Sequence, residues 1–342
     1  MSSDDGLKTN NNKQRIPELD VLKGVGIFLM VFDHVGWGEL CHTYIQSFHM
    51  PLFFIVSGFL FKKRKCKEEI YKRIKNLLIP YYSFGLVYLI LSIMVYKNVE
   101  QFIKGVRAVF IYPTDIDCMP FAPALWFFPC MFIVDVLYNY ISNLIGNRKY
   151  KIVIILLISC PVICFSIICD NMLPFAIEPV AVGLIFFMIG DLIKNNENEL
   201  LRYAQKIPFI IMASILHLTL SIVNQSCDMR SARYHNIILY FIDSILGTFV
   251  FFCIASEICK IGKTARDIFA FLSRNAIVYI CMNQILISAF NKGLYMLSMK
   301  TNVENVVWVI VMKCICFNVV MFGCAAINHQ IRKSKIKFIL GR

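Results

Sequence analysis

Charged side chains are scarce in this sequence. Only 17% of its 342 residues are Asp, Glu, Lys or Arg, while 58% are hydrophobic and the mean hydropathy is +0.64. That balance excludes a water-soluble domain and points to a polytopic membrane protein. Acidic residues are scarcer than basic ones, 22 against 35, for a net charge of +13. In a membrane chain such an excess collects in cytoplasmic loops, and no RNA- or DNA-binding signature accompanies it. Membrane lipids are therefore expected partners, and nucleic acid is not.

Other absences narrow the reading further. Residues 1–14 lack the short apolar core and small-residue cleavage site of a removable signal peptide, so the first span is expected to be retained. There is no CxxC pair and no Cys/His ligand spacing among the fourteen cysteines, so neither a metal site, a redox motif nor a bound cofactor is predicted. Most of these thiols, such as Cys160, Cys164, Cys253 and Cys324, lie in apolar runs where they act as small hydrophobes. Cys41, Cys118 and Cys227 fall on one side of the membrane, but no disulfide is expected among them. Neither a long linker nor a duplicated half interrupts the chain.

What is present is a succession of apolar runs. Taken as spanning helices they number ten, near 17–37, 45–61, 76–96, 121–145, 151–169, 174–193, 207–224, 235–259, 275–297 and 305–331. With the N-terminus inside, 26 Lys and Arg fall in cytoplasmic segments and seven in outer loops. This asymmetry predicts an all-α bundle with both termini cytoplasmic. The chain divides into a polar tail (1–14), a transmembrane domain (15–331) and a basic tail (332–342).

Within 66–78, Ile70, Ile74, Leu77 and Leu78 share a helical face, with Lys67, Lys72, Arg73 and Lys75 around it. This reads as an interfacial helix, either anchoring acidic headgroups or gripping phosphates. The outer loop 97–120 ends in a proline- and aspartate-bearing stretch that suits an ordered mouth.

The ionisable groups of residues 15–61 stand out, because such groups inside spans are costly and functional by default. Lys23 and His34 are eleven residues apart, which puts them on one helical stripe about 16 Å apart. Histidine is the natural general base near neutral pH. Asp33 points about 100° away from His34 and is free to pair with another helix. His49, at the start of the second run, falls near the same outer end. Structural alternatives stand beside these roles: Lys23 snorkelling, and His34 or His49 as packing or interfacial groups. Asp135, Glu178, His217 and Asp243 are further polar groups that could pair across helices.

ELDVLKGVGIFLMVFDHV followed by SFHMPLFFIVSGFLF closely resembles the opening of the acyltransferase family 3 membrane proteins. The family's basic residue, ten-residue gap and histidine are matched by Lys23 and His34, and its Phe-His-Met-Pro segment by Phe48–Pro51. KRIKNLLIPYY is similar to its basic helix, with Lys72 and Lys75 where paired arginines are common. The segments around Trp126 and around Glu178 and Gly190 match more loosely. The resemblance implies ten spans and transfer of an acyl group, most often acetyl, from acyl-CoA to a hydroxyl of a cell-surface or lipid-linked saccharide at a bacterial cell membrane. It implies His34 as base, assisted by His49 and Lys23, with Lys72, Arg73 and Lys75 binding the donor and Asp33, Glu178 and Trp126 in support. The other reading is a transporter of a glycan or lipid-linked precursor. Two departures from the family pattern are Asp33, where glycine is usual, and Asn283, where histidine is frequent.

Overall fold

The computed structural model describes residues 16–115, 124–169, 173–196, 199, 202, 206–296 and 306–341. The N-terminal tail 1–14, Cys118 and the later part of the expected outer mouth (116–123) lie outside the described residues. Among the described residues the chain is helical, and its only extended pairing is an isolated bridge between Asp228 and Arg233.

Helix α1 (Pro17–His34) opens with proline in its first turn, where the missing N–H is not needed. α2 (Glu39–Gln46) and α3 (His49–Phe59) follow, then α4 (Cys66–Arg73), a π-turn (Ile74–Leu78) and α5 (Ile79–Tyr96). α6 (Val99–Phe110) lies in the first half of the long outer connection, capped by the Asn98 side chain. α7 (Phe127–Leu144), α8 (Arg148–Ile168), α9 (Ile177–Ile193) and α10 (Ile207–Val223) lead to α11 (Ile237–Ile261). The chain closes with α12 (Lys263–Arg274), α13 (Ala276–Met296) and α14 (Val306–Lys333). Among the described residues, seven helical segments are long and apolar enough to cross a membrane, which makes this a multi-pass helical bundle.

Two expectations need correction. The run 45–61 is not one continuous span, since it breaks at Ser47–Phe48 between α2 and α3. Pro51 is the cause, because its ring clashes with the carbonyl four residues earlier and it has no N–H to offer that carbonyl. The carbonyl in question belongs to Ser47, and it accepts instead the Ser244 hydroxyl of α11 at 2.6 Å. A polar helix break is thereby satisfied inside the bundle, as a membrane interior requires. Nor is the basic helix a separate interfacial element: α4 continues through the π-turn into α5 as one helix over Cys66–Val95.

α9 is the centre of the bundle, with 67% of its apolar window buried, against 17% for α8 and 11% for α14. In lipid, close helix packing replaces the hydrophobic effect as the force between helices. α3 and α9 show how close that packing is. A Cβ built on Gly58 would fall 1.9 Å from the Phe187 carbonyl oxygen, and one on Gly190 would fall 2.0 Å from that of Ile55. This reciprocal contact fixes α3, and with it His49, against the most buried of the span-length helices.

Candidate active site

Asp33 and His34 occupy the last turn of α1, and a 100° step sends their side chains to different neighbours. Asp33 is buried, and its oxygens accept His42 Nδ1 at 2.9 and 3.1 Å and Gln46 Nε2 at 2.9 Å. His42 and Gln46 stand one turn apart on α2, so one carboxylate holds a whole helix face. The chain returns to α1 through a glycine turn at Gly36 and Gly38, where the Lys313 ammonium donates to the Gly36 carbonyl and Trp37 stacks on Phe32. The hydrogen bond to Asp33 holds His42 above its ordinary pKa, against burial that would lower it.

His34 turns instead to α13. Its Nδ1 lies 2.7 Å from Asn283 Oδ1. The Asn283 amide donates from Nδ2 to the carbonyls of Tyr279 (2.7 Å) and Ile280 (3.0 Å), which fixes its orientation. Oδ1 must then accept, so His34 Nδ1 carries the proton and Nε2 is left as the acceptor nitrogen. His49 repeats the arrangement, donating from Nδ1 to the Ile45 carbonyl at 2.9 Å. Both rings are therefore set in the tautomer that makes Nε2 a base.

Both histidines line one cavity of about 600 Å³, together with His42, Trp126 and Gln284. Its other wall is the loop between α10 and α11, which contributes Ser226, Asp228, Arg230, Ser231 and Arg233. Asp228 organises that loop by accepting the Arg230 guanidinium (2.8 Å), the Arg230 backbone N–H (2.9 Å) and the Ser231 hydroxyl (2.9 Å). Burial alone would raise the Asp228 carboxyl, but the Arg230 charge and these donors hold it below its ordinary range. The loop ends are joined by the Asn224 side chain, which accepts the Asn236 N–H at 2.9 Å. The cavity thus combines two oriented imidazoles with two guanidinium groups, a combination that can both accept a proton and stabilise an oxyanion.

Of the residues expected from the sequence, His34, His49 and Trp126 meet in this cavity, and Asp33 stands behind it. Glu178 lines a neighbouring cavity, where its carboxylate accepts the Leu173 N–H. Lys23 does not line the cavity, and pairs with Asp20 at 3.4 Å in the first half of α1. Lys72, Arg73 and Lys75 belong to the other end of the bundle. There Arg73 bridges the buried carboxylates of Glu69 and Asp135, and Arg64 meets Glu69 at 2.9 Å. That end also has Arg148 donating to the Leu192 carbonyl and Lys194 to that of Phe61, cations placed at helix C-termini.

His42, Gln46, Asp228, Arg230, Arg233 and Gln284 were not anticipated. The available signal was the pair of arginines flanking the serine of DMRSAR, since basic residues are rare in the outer loops.

A family model described as an acyltransferase domain matches residues 16–325, a range that contains every residue lining the cavity. No curated protein and no solved structure matches the chain.

Proposed function

The chain belongs to acyltransferase family 3, and from that premise we propose that it is an O-acyltransferase. It moves an acyl group, acetyl in the first instance, from cytoplasmic acyl-CoA to a hydroxyl of a surface or lipid-linked saccharide at a bacterial cell membrane, with both termini inside. The observation that carries this reading is the His34–Asn283 bond, which puts the proton of the neutral ring on Nδ1 and makes Nε2 the acceptor nitrogen of a cavity-lining histidine.

In this reading His34 Nε2 takes the proton of the acceptor hydroxyl as its oxygen attacks the acyl carbonyl. The tetrahedral oxyanion is met by donors from Arg230 or Gln284. Collapse breaks the C–S bond, and the departing CoA thiolate takes the proton from the His34 imidazolium. His49 supports the second face of the cavity. Lys72 and Lys75, with Arg73 held by its two carboxylates, face the donor's phosphates at the basic end, and Lys23 lies along the helix between the two ends. As lysines, Lys72 and Lys75 act as point charges without the bidentate fork of arginine.

The test is label transfer from acetyl-CoA to the host's surface-glycan fraction in membranes holding the wild-type chain, His34→Ala or no protein. Labelling that depends on the wild type and disappears in a normally folded His34→Ala supports the reading. Export of the glycan that depends on the protein, without labelling from any acyl-CoA, replaces it with a transporter.

A further inference from the structure

A second cavity, of about 450 Å³, adjoins the first. The two share Ser226, Ser231 and Arg233, so one short stretch of loop is the partition between them. Both volumes fall in the range of small-molecule sites.

The far walls are polar for a membrane protein. They bring together Ser166 from α8, Glu178 from α9, and Gln225 and His235 from the loop. Glu178 is 5% exposed, yet it forms no salt bridge with Arg233 among the described residues, so the carboxylate and the guanidinium stand on different walls. A carboxylate accepts two hydroxyl protons, while a guanidinium and an amide donate to hydroxyl oxygens, a set that matches the vicinal hydroxyls of a neutral sugar. The backbone around the cavity is held in costly conformations. Gln225 and Ala232 have φ of 56° and 53°, and Phe175 and Ala176, just before Glu178, have φ of 59° and 57°. Gln225 and Ala232 line the cavity themselves, and two non-glycine residues in the left-handed region of one wall are strain of the kind found at ligand sites.

We propose that this second cavity is an acceptor subsite. It binds the sugar adjacent to the one being acylated, with Arg233 at the junction, so the acceptor is an oligosaccharide or a polymer and not a free monosaccharide. The inference rests on the acyltransferase reading above. A neighbouring unit held by Glu178 and Arg233 would place the reacting hydroxyl beside His34 through binding energy remote from the chemistry.

The experiment uses size-fractionated fragments of the host's surface polysaccharide, from the monosaccharide to the octasaccharide, as acceptors for the reconstituted full chain with labelled acetyl-CoA. For the wild type, kcat/KM is expected to rise at least about tenfold between one sugar and two or three, the effect of one or two well-made hydrogen bonds to charged groups. Glu178→Gln, which keeps an acceptor for the Leu173 N–H, should flatten that rise through KM. Ser166→Trp, which fills the cavity from α8, should do the same by an independent route. Equal kcat/KM for all fragments in the wild type, or an undiminished rise in both variants, overturns the subsite while leaving the acyltransferase reading intact. Failure of the wild type to label any fragment sinks that reading, and the subsite with it.

Discussion

Asn283 accepts the Nδ1 proton of His34 at 2.7 Å, and it does so with its own amide anchored to two carbonyls of α13. The asparagine thereby takes the orienting position that a carboxylate or carbonyl takes beside catalytic histidines. Asn283→Leu should therefore lower kcat by about 10–100-fold with little change in KM. Asn283→Asp should retain more activity than Asn283→Leu, because it still accepts from Nδ1. Steady-state kinetics on purified variants decide this, and equal losses in the two would remove the orienting role.

The second prediction concerns pH. His42 is held above its ordinary pKa of 6.5 by Asp33, so protonation and folding favour one another. The stabilisation from the charged pair is complete below about pH 6.5 and is lost as pH rises through the raised value. The thermal midpoint of the wild type in detergent should fall across that window, and His42→Gln should remove the step. His42 is half exposed, so the effect is modest. An identical pH dependence in both proteins would show that this pair contributes nothing.

Away from the cavity, His217 and Asp243 form a fully buried pair at 2.6 Å between α10 and α11, packed on Tyr44 and Phe48. Removing one partner leaves the other polar group stranded, at a cost of about 3–5 kcal/mol. His217→Leu and Asp243→Leu should each lower the thermal midpoint sharply, and the double variant should recover part of the loss. Strict additivity of the two would argue against a coupled pair.

A fourth prediction tests the packing that fixes α3. Gly58→Leu or Gly190→Leu should abolish the folded, monodisperse species in fluorescence-detected size exclusion, since backbone oxygen lies where the side chain must go. Normal elution of either variant would contradict the α3–α9 contact.

Much of this was legible in the sequence, for identifiable reasons. His34 and His49 stand out because ionisable groups in apolar runs are rare, and helical periodicity alone shows that Asp33 faces away from His34. The apolar runs gave the membrane class and most helix positions. The break at Ser47 was missed because a proline six residues past the start of an apolar run is compatible with both a helix start and a kinked span. His42 and Gln46 were missed because GELCHTYIQ reads as a polar connection, and only the turn at Gly36–Gly38 returns it to Asp33. Arg230 and Arg233 lie about 200 residues from His34 in the chain. No local pattern reports such a contact. Of the two carboxylate partners of Arg73, Glu69 lies one helical turn before it and is legible in the sequence, whereas Asp135 comes from a distant helix that no local pattern connects.

The most direct measurement of the central claim is single-turnover acyl transfer by His34→Gln, against the wild type, with both proteins shown to be folded by their thermal midpoints. Glutamine keeps polarity and approximate size at the end of α1 but has no nitrogen able to take a proton. Loss of general-base catalysis predicts a fall in the transfer rate of about 10²–10⁴-fold. A rate within a few-fold of the wild type would show that His34 is not the base, and the mechanism built on it would have to be abandoned.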